Sequence, residues 1–181
     1  MKRSEYEKMK ALALEYYQRA GIVLTDDEKE RIEVADLGLG MVERVGLEIL
    51  TYINTERVCA KEMVLVPYQT CPEHRHVPTN GQAGKEETFR CRFGKVYLYT
   101  DTAPDAVREN IKAPLPPTDV SVFDEHILLP GDQYTIYPST LHWFCAGEEG
   151  AVISEFSTRS TDETDEFTDA RIVRAPIIEE D

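Results

Sequence analysis

Two periods of apolar residues divide this chain. Over residues 4–20, Met9, Leu12, Ala13, Tyr16 and Tyr17 recur at helical spacing. Ser4 is placed to cap that helix, Glu7 takes the capping-box position, and Gly21 stops it. A second helix is predicted from Thr25 to about Leu37, with Asp26, Asp27 and Glu28 in a first turn that favours acids. The segment Gly38–Gly40 breaks it. From about Gly46 the period shortens. The runs LEILTYI, EMVLVPYQ, TFRCRF, KVYLYT, VFDEHILL, QYTIYP and AVISEFS are rich in Val, Ile, Thr, Tyr and Phe and are punctuated by Gly, Pro and Asp. Many short strands with turn signals predict an antiparallel barrel or sandwich. Residues 103–119 hold four of the ten prolines and are expected to cross the surface. Residues 161–181, with eight acids and two arginines, are expected to form a partly extended arm. The predicted organisation is a helical extension over 1–40 and a barrel with its arm over 41–181, in one structural domain.

Charge narrows the range of partners. Acids outnumber bases 34 to 20, for a net charge of −14. Phosphate binding needs clustered Lys and Arg, so nucleic acid is disfavoured, as is an anionic membrane surface. A small substrate is not excluded, because local charge can oppose the global sign. No apolar run reaches the roughly 18–20 residues of a membrane span, and MKRSEYEKMK lacks the apolar core of a signal peptide. A cytoplasmic protein is the expectation. Cys59, Cys71, Cys91 and Cys145 fall at no zinc-ribbon or CxxC spacing and read as reduced thiols in or near a core.

The chemistry concentrates in PEHRHVPTNGQAGKEETFRCRFGKV. On a strand, His74 and His76 share a face and Arg75 takes the other. Glu87 follows, with Gly94 seven positions later. His142 lies in PGDQYTIYPSTLHWF, eleven positions after Gly131 and four after Pro138. Three imidazoles and one carboxylate suit a first-row divalent ion with positions left open; manganese, iron, cobalt, nickel and zinc all fit. Glu86 is a competing ligand to Glu87. His126, in DEHILL, has neither context.

These paired segments resemble the metal-binding motifs of the cupin superfamily, which implies a jelly-roll-like antiparallel β-barrel. Two departures are visible. The segment between His76 and Glu87 is longer than usual. In the second motif the proline comes one residue late and the usual glycine after it is missing. A narrower resemblance covers most of the chain. CAKEMVLV, CPEHRH, GKEETF, LHWFCAG, GAVISEFSTRSTDETDEFTD and the closing I-x-R are similar to the D-lyxose isomerase family, cupin-fold metal-dependent sugar isomerases. The resemblance implies conversion of D-lyxose to D-xylulose, with D-mannose to D-fructose as a second reaction. It also implies manganese foremost as the cofactor and a homodimer.

Aldose–ketose interconversion moves a proton between C1 and C2. A divalent cation at O1 and O2 polarises the carbonyl, and a carboxylate can carry the proton. The candidate base is Glu155 in AVISEFS; alternation groups it with Ile153 and Ser157, away from Val152, Ser154 and Phe156. Lys85, two before Glu87, is placed to hold or protonate a substrate oxygen. Lys61 is a candidate for sugar hydroxyls. Asp162, Asp165 and Arg174 belong to the matching tail, and of these Asp165 and Arg174 are carried forward as substrate-binding candidates. Of Trp143 and Phe144, one ring should face the cavity and one the shell. Two other functions share the same ligands: a cupin dioxygenase or oxidase, and a non-catalytic sugar-binding cupin.

Overall fold

The computed structural model describes residues 1–79, 81–174 and 177–181. Helix α1 spans Arg3–Arg19 and buries Met9, Ala13, Tyr16 and Tyr17, all members of the predicted apolar stripe. Its start differs from expectation. Lys2 precedes the first turn without a side-chain cap, and Ser4 lies inside it. The amides of the first turn find their partners in the chain's other end: Arg3 N donates to Glu179 O at 2.9 Å and Ser4 N to Asp181 Oδ2 at 3.1 Å. The arm does the work of a cap.

Helix α2 is confined to Asp26–Glu30. Thr25 and Glu28 form a reciprocal capping box at 2.8 and 3.2 Å. The expected continuation to Leu37 is not helical. Strand β1, Glu33–Ala35, pairs instead with strand β2, Leu47–Asn54. Ile32 and Val34 are buried beneath α1, so a β-branched pair two apart suits a strand face better than a helix turn.

The remaining strands are β3 (Cys59–Leu65), β4 (Thr70–Arg75), β5 (Glu87–Thr100), β6 (Asp124–Leu128), β7 (Gln133–Ile136), β8 (His142–Ser157) and β9 (Glu166–Phe167). All their pairings are antiparallel. The order is β1-β2-β3-β8-β4-β9, with β5 joining β8 to β6 and β7. The mostly β architecture with N-terminal helices agrees with the predicted cupin-type barrel. TFRCRF and KVYLYT are one strand rather than two, and LHWFCAG runs continuously into AVISEFS.

The long β5–β8 ribbon creates the cup. A straight strand of β5's 14 residues would span roughly 45 Å. Yet Glu87, at its start, lies 3.1 Å from His142, whose register partner Thr100 is at its end. The ribbon therefore folds over. Its register breaks between Gly94 and Val96, and Gly94 sits at φ +71°. A Cβ there would meet Gly150 O at 2.0 Å, so only glycine lets the two strands close at the bend.

Three apolar layers follow. Leu47, Ile49, Met63, Phe89, Phe144 and Ile153 belong to the interior cluster of the cup. Leu50, Val64 and Val152 point outward beneath α1. Tyr99, Trp143 and Cys145 lie beneath Ala113 and Val122 of the proline-rich excursion. That excursion is pinned by Glu73, a wholly buried carboxylate on β4 that accepts from Ser121 N, Ser121 Oγ and Val122 N at 2.7, 2.7 and 3.0 Å. All four cysteines are buried free thiols.

Candidate metal and catalytic site

Antiparallel register brings the imidazoles together. His74 on β4 pairs directly with His142 at the start of β8, and His76 follows one residue beyond β4. Ring centroids are 4.3 Å apart for His74–His142 and 5.0 Å for His74–His76. One nitrogen from each of the three lies within 4.8 Å of the others. Arg75 points outward, as alternation predicts, and meets Glu166 at 2.6 Å.

The other ring nitrogens fix the orientation. His74 Nδ1 lies 2.8 Å from Pro72 O, and His142 Nδ1 lies 3.0 Å from Thr140 O. A carbonyl can only accept, so each Nδ1 is the donor, and in the neutral ring each Nε2 presents a lone pair. Asp165 Oδ1 receives His76 Nδ1 at 2.6 Å. Such outer partners hold imidazoles ready for a metal.

Glu87 joins the group from β5. Its Oε1 is 3.1 Å from His76 Nε2 and 3.1 Å from His142 Nε2. His142 Nε2 is buried and, among the described residues, has no hydrogen-bond partner despite that approach. Two electron-rich atoms facing each other in a buried space call for a cation between them, so the donor set fits a divalent metal. Burial opposes ionisation of Glu87, but Lys85 and His76 hold its carboxyl well below the usual range. Burial, with His142 and His76 alongside, keeps His74 neutral. Glu86 points into solvent, which removes it as a ligand.

Gly84 brings Lys85 and Glu87 to His76. A Cβ on Gly84 would lie 1.9 Å from His76 O, so this close crossing excludes any side chain. The segment between His76 and Glu87 thus doubles back, although Asn80 within it lies outside the described residues. In the second motif, Ser139 takes the missing glycine's place at φ +66°, and its amide donates to His76 O at 3.1 Å.

Glu155 faces into the cup beside Ile153, while Ser154 Oγ turns away to Glu62 at 2.8 Å and Phe156 is exposed. Its Oε1 accepts from Ser157 Oγ at 2.8 Å and lies 3.3 Å from Lys85 Nζ and 3.8 Å from Lys61 Nζ. Lys85 also meets Glu87 Oε2 at 2.8 Å. Burial works against its charge, but Glu155, Glu87 and Asp162 together hold the ammonium well above its usual range.

Asp162 is the residue that sequence reasoning undervalued. It accepts from Lys61 Nζ at 2.5 Å and Lys85 Nζ at 3.2 Å. In a run such as TDETDEFTD nothing local separates it from its solvated neighbours. The two tail candidates for substrate binding make contacts of their own within the chain. Asp165 supports His76, and Arg174 bonds Glu33 at 2.6 Å while standing 3.9 Å from Asp162. Lys61, Lys85, Glu87, Glu155, Asp162 and Arg174 line a cavity of about 40 Å³. That is space for a few waters. An outer cleft shares Lys61, Asp162 and Arg174 with it and adds Glu33, Asn54 and Ser160.

The two rings after His142 divide as predicted. Phe144 lines the cavity, and Trp143 stacks on Tyr99 with centroids 4.0 Å apart, its Nε1 donating to Val122 O at 2.8 Å. His126 stands apart from the cluster, against Thr100 Oγ1 and the Tyr134 ring.

A model of the family described as D-lyxose isomerase matches residues 25–181. A D-lyxose/D-mannose isomerase of Thermosediminibacter oceani is 53% identical over 181 residues, covering 99% of each chain. A D-lyxose ketol-isomerase of Cohnella laeviribosi is 50% identical, covering 100% of each. Among solved structures, the L-ribose isomerase of Cellulomonas parahominis shares the fold with a TM-score of 0.75 at 17% identity, covering 99% of this chain and 98% of that one.

Proposed function

This chain belongs to the D-lyxose isomerase family, and from that premise we propose that it interconverts D-lyxose and D-xylulose, and D-mannose and D-fructose, using a divalent metal. The observation that carries the chemistry is the contact of buried Glu155 with Lys85, which in turn meets Glu87 beside three imidazoles. His74, His76, Glu87 and His142 would hold the metal. When bound, such an ion polarises the sugar carbonyl and steadies the enediol oxygens.

The chain's own residues supply the rest. Glu155 Oε1 is engaged by Ser157 and the lysines, which leaves Oε2 to take the proton from C2 and return it at C1. Lys85 donates to the oxygen on which negative charge develops, and Glu87 holds its ammonium in place. Lys61 and Asp162 stand where sugar hydroxyls would bind, and their ion pair yields to those hydroxyls as the sugar enters from the outer cleft. Asp165 acts by orienting His76. Arg174 steadies Asp162. Manganese as the ion and a homodimer as the assembly complete the proposal.

The test is a panel of aldoses assayed for ketose formation with metal-stripped and manganese-restored protein. Ketose from D-lyxose only after restoration supports the proposal. A requirement for O2 would point to an oxidase, and sugar binding without exchange of the C2 hydrogen would point to a binding protein.

A further inference from the structure

Leu37 combines strain with an unusual environment. Its φ is +54°, a left-handed conformation rare for a bulky residue. It is 1% exposed, yet it belongs to none of the three apolar clusters. What its side chain lines is the site cavity. The backbone is held there from both sides. Leu37 O accepts from Val173 N at 3.0 Å, and Gly38 N donates to Asp36 Oδ1 at 3.1 Å. A Cβ on Gly38 would fall 2.9 Å from Val173 Cβ, so the turn and the arm are closely fitted. Glycine at position 37 would adopt this conformation without strain. A strained leucine lining the cavity that holds Glu155 and Lys85 points to a use for its side chain.

Contacts within the site locate that use. Arg174 stands 3.9 Å from Asp162 on the side shared with the outer cleft, and Val173 beside it holds Leu37. Leu37 is thus anchored at the Arg174 end of the cavity. We propose that Leu37 is a specificity-determining residue that sets the length of sugar the site accepts. A sugar with its reacting carbons at Glu155 and Lys85 extends its far end toward Leu37. Where an aldopentose ends, an aldohexose carries a further hydroxymethyl group, which brings extra volume and a hydroxyl that an isobutyl group cannot satisfy. This inference rests on the isomerase proposal.

The experiment compares kcat/KM for D-lyxose and D-mannose in manganese-loaded wild type, Leu37→Ala and Leu37→Gly. Either shortened side chain should raise the mannose-to-lyxose ratio by about tenfold, the scale of one methylene-sized difference in an apolar pocket. The rise should come chiefly through a lower KM for D-mannose. Leu37→Gly relieves the backbone, so it reports even where Leu37→Ala misfolds. A ratio that stays within twofold, a parallel fall with both sugars, or loss of fold in both variants would overturn the role. Wild type that turns over neither sugar would instead remove the isomerase proposal, and this inference with it.

Discussion

Lys85 and Glu155 are 70 residues apart in sequence and 3.3 Å apart at the floor of the cup. The buried ammonium donates to Glu155 Oε1, and Ser157 Oγ donates to the same atom at 2.8 Å, so the carboxylate is fixed in place. Glu155→Gln preserves shape and removes the basic oxygen. Its turnover should fall by about 10²–10⁴-fold with metal content unchanged. Near-normal turnover in this variant would end the assignment of Glu155 as base.

His142 presents a buried nitrogen with no hydrogen-bond partner among the described residues. His142→Ala should lose bound metal and activity together, whereas His126→Ala, outside the cluster, should keep both. Metal analysis of the purified variants by mass spectrometry decides the matter; full metal content in His142→Ala would remove it from the ligand set.

Gly84 is a steric prediction. A methyl at 1.9 Å from His76 O forces the two segments apart. Gly84→Ala should cost about 1–3 kcal/mol of stability and weaken metal affinity as well, because the segment it displaces carries Lys85 and Glu87. Unchanged melting and metal titration would show that the crossing has slack.

Glu48 makes the fold sensitive to alkali. It is fully buried outside the metal cluster; Gln69 donates to one oxygen at 3.1 Å and the other has no partner among the described residues. Burial raises its pKa to about 8 from an ordinary 4.5. Between those values the folded chain holds a proton that the unfolded chain has released. Glu48's contribution to stability therefore declines as pH rises through that window, by up to about 1.4 kcal/mol per pH unit. Glu48→Gln should flatten the dependence, seen as a smaller difference in melting temperature between pH 6 and pH 8. An unchanged difference would place the titration elsewhere.

The sequence carried much of this arrangement. Period-two alternation correctly grouped Glu155 with Ile153 and turned Arg75 outward, because strand geometry is local. Lys85 and Glu87 also come together, although Lys85 lies just before β5 and the Gly84 crossing sets its place. The helix predicted from Thr25 overruns because no Gly or Pro stands between that start signal and Gly38, whereas pairing with β2 takes residues 33–35 into a strand. The Ser4 cap failed because residues 179–181, remote in sequence, satisfy that helix start. Asp162 was undervalued because its importance comes from Lys61 and Lys85 on other strands. Leu37 gave no signal, since a backbone angle leaves no mark on composition.

The folded-over β5–β8 ribbon also governs when a cation can be held. An unfolded chain keeps His74 and His76 close, but His142 and Glu87 become neighbours only after the ribbon has doubled on itself. Ion affinity is therefore almost wholly a property of the native state, and each tenfold excess of free ion above its Kd should deepen the native well by about 1.4 kcal/mol. On the proposed function, heat tolerance should therefore rise with the supply of that ion.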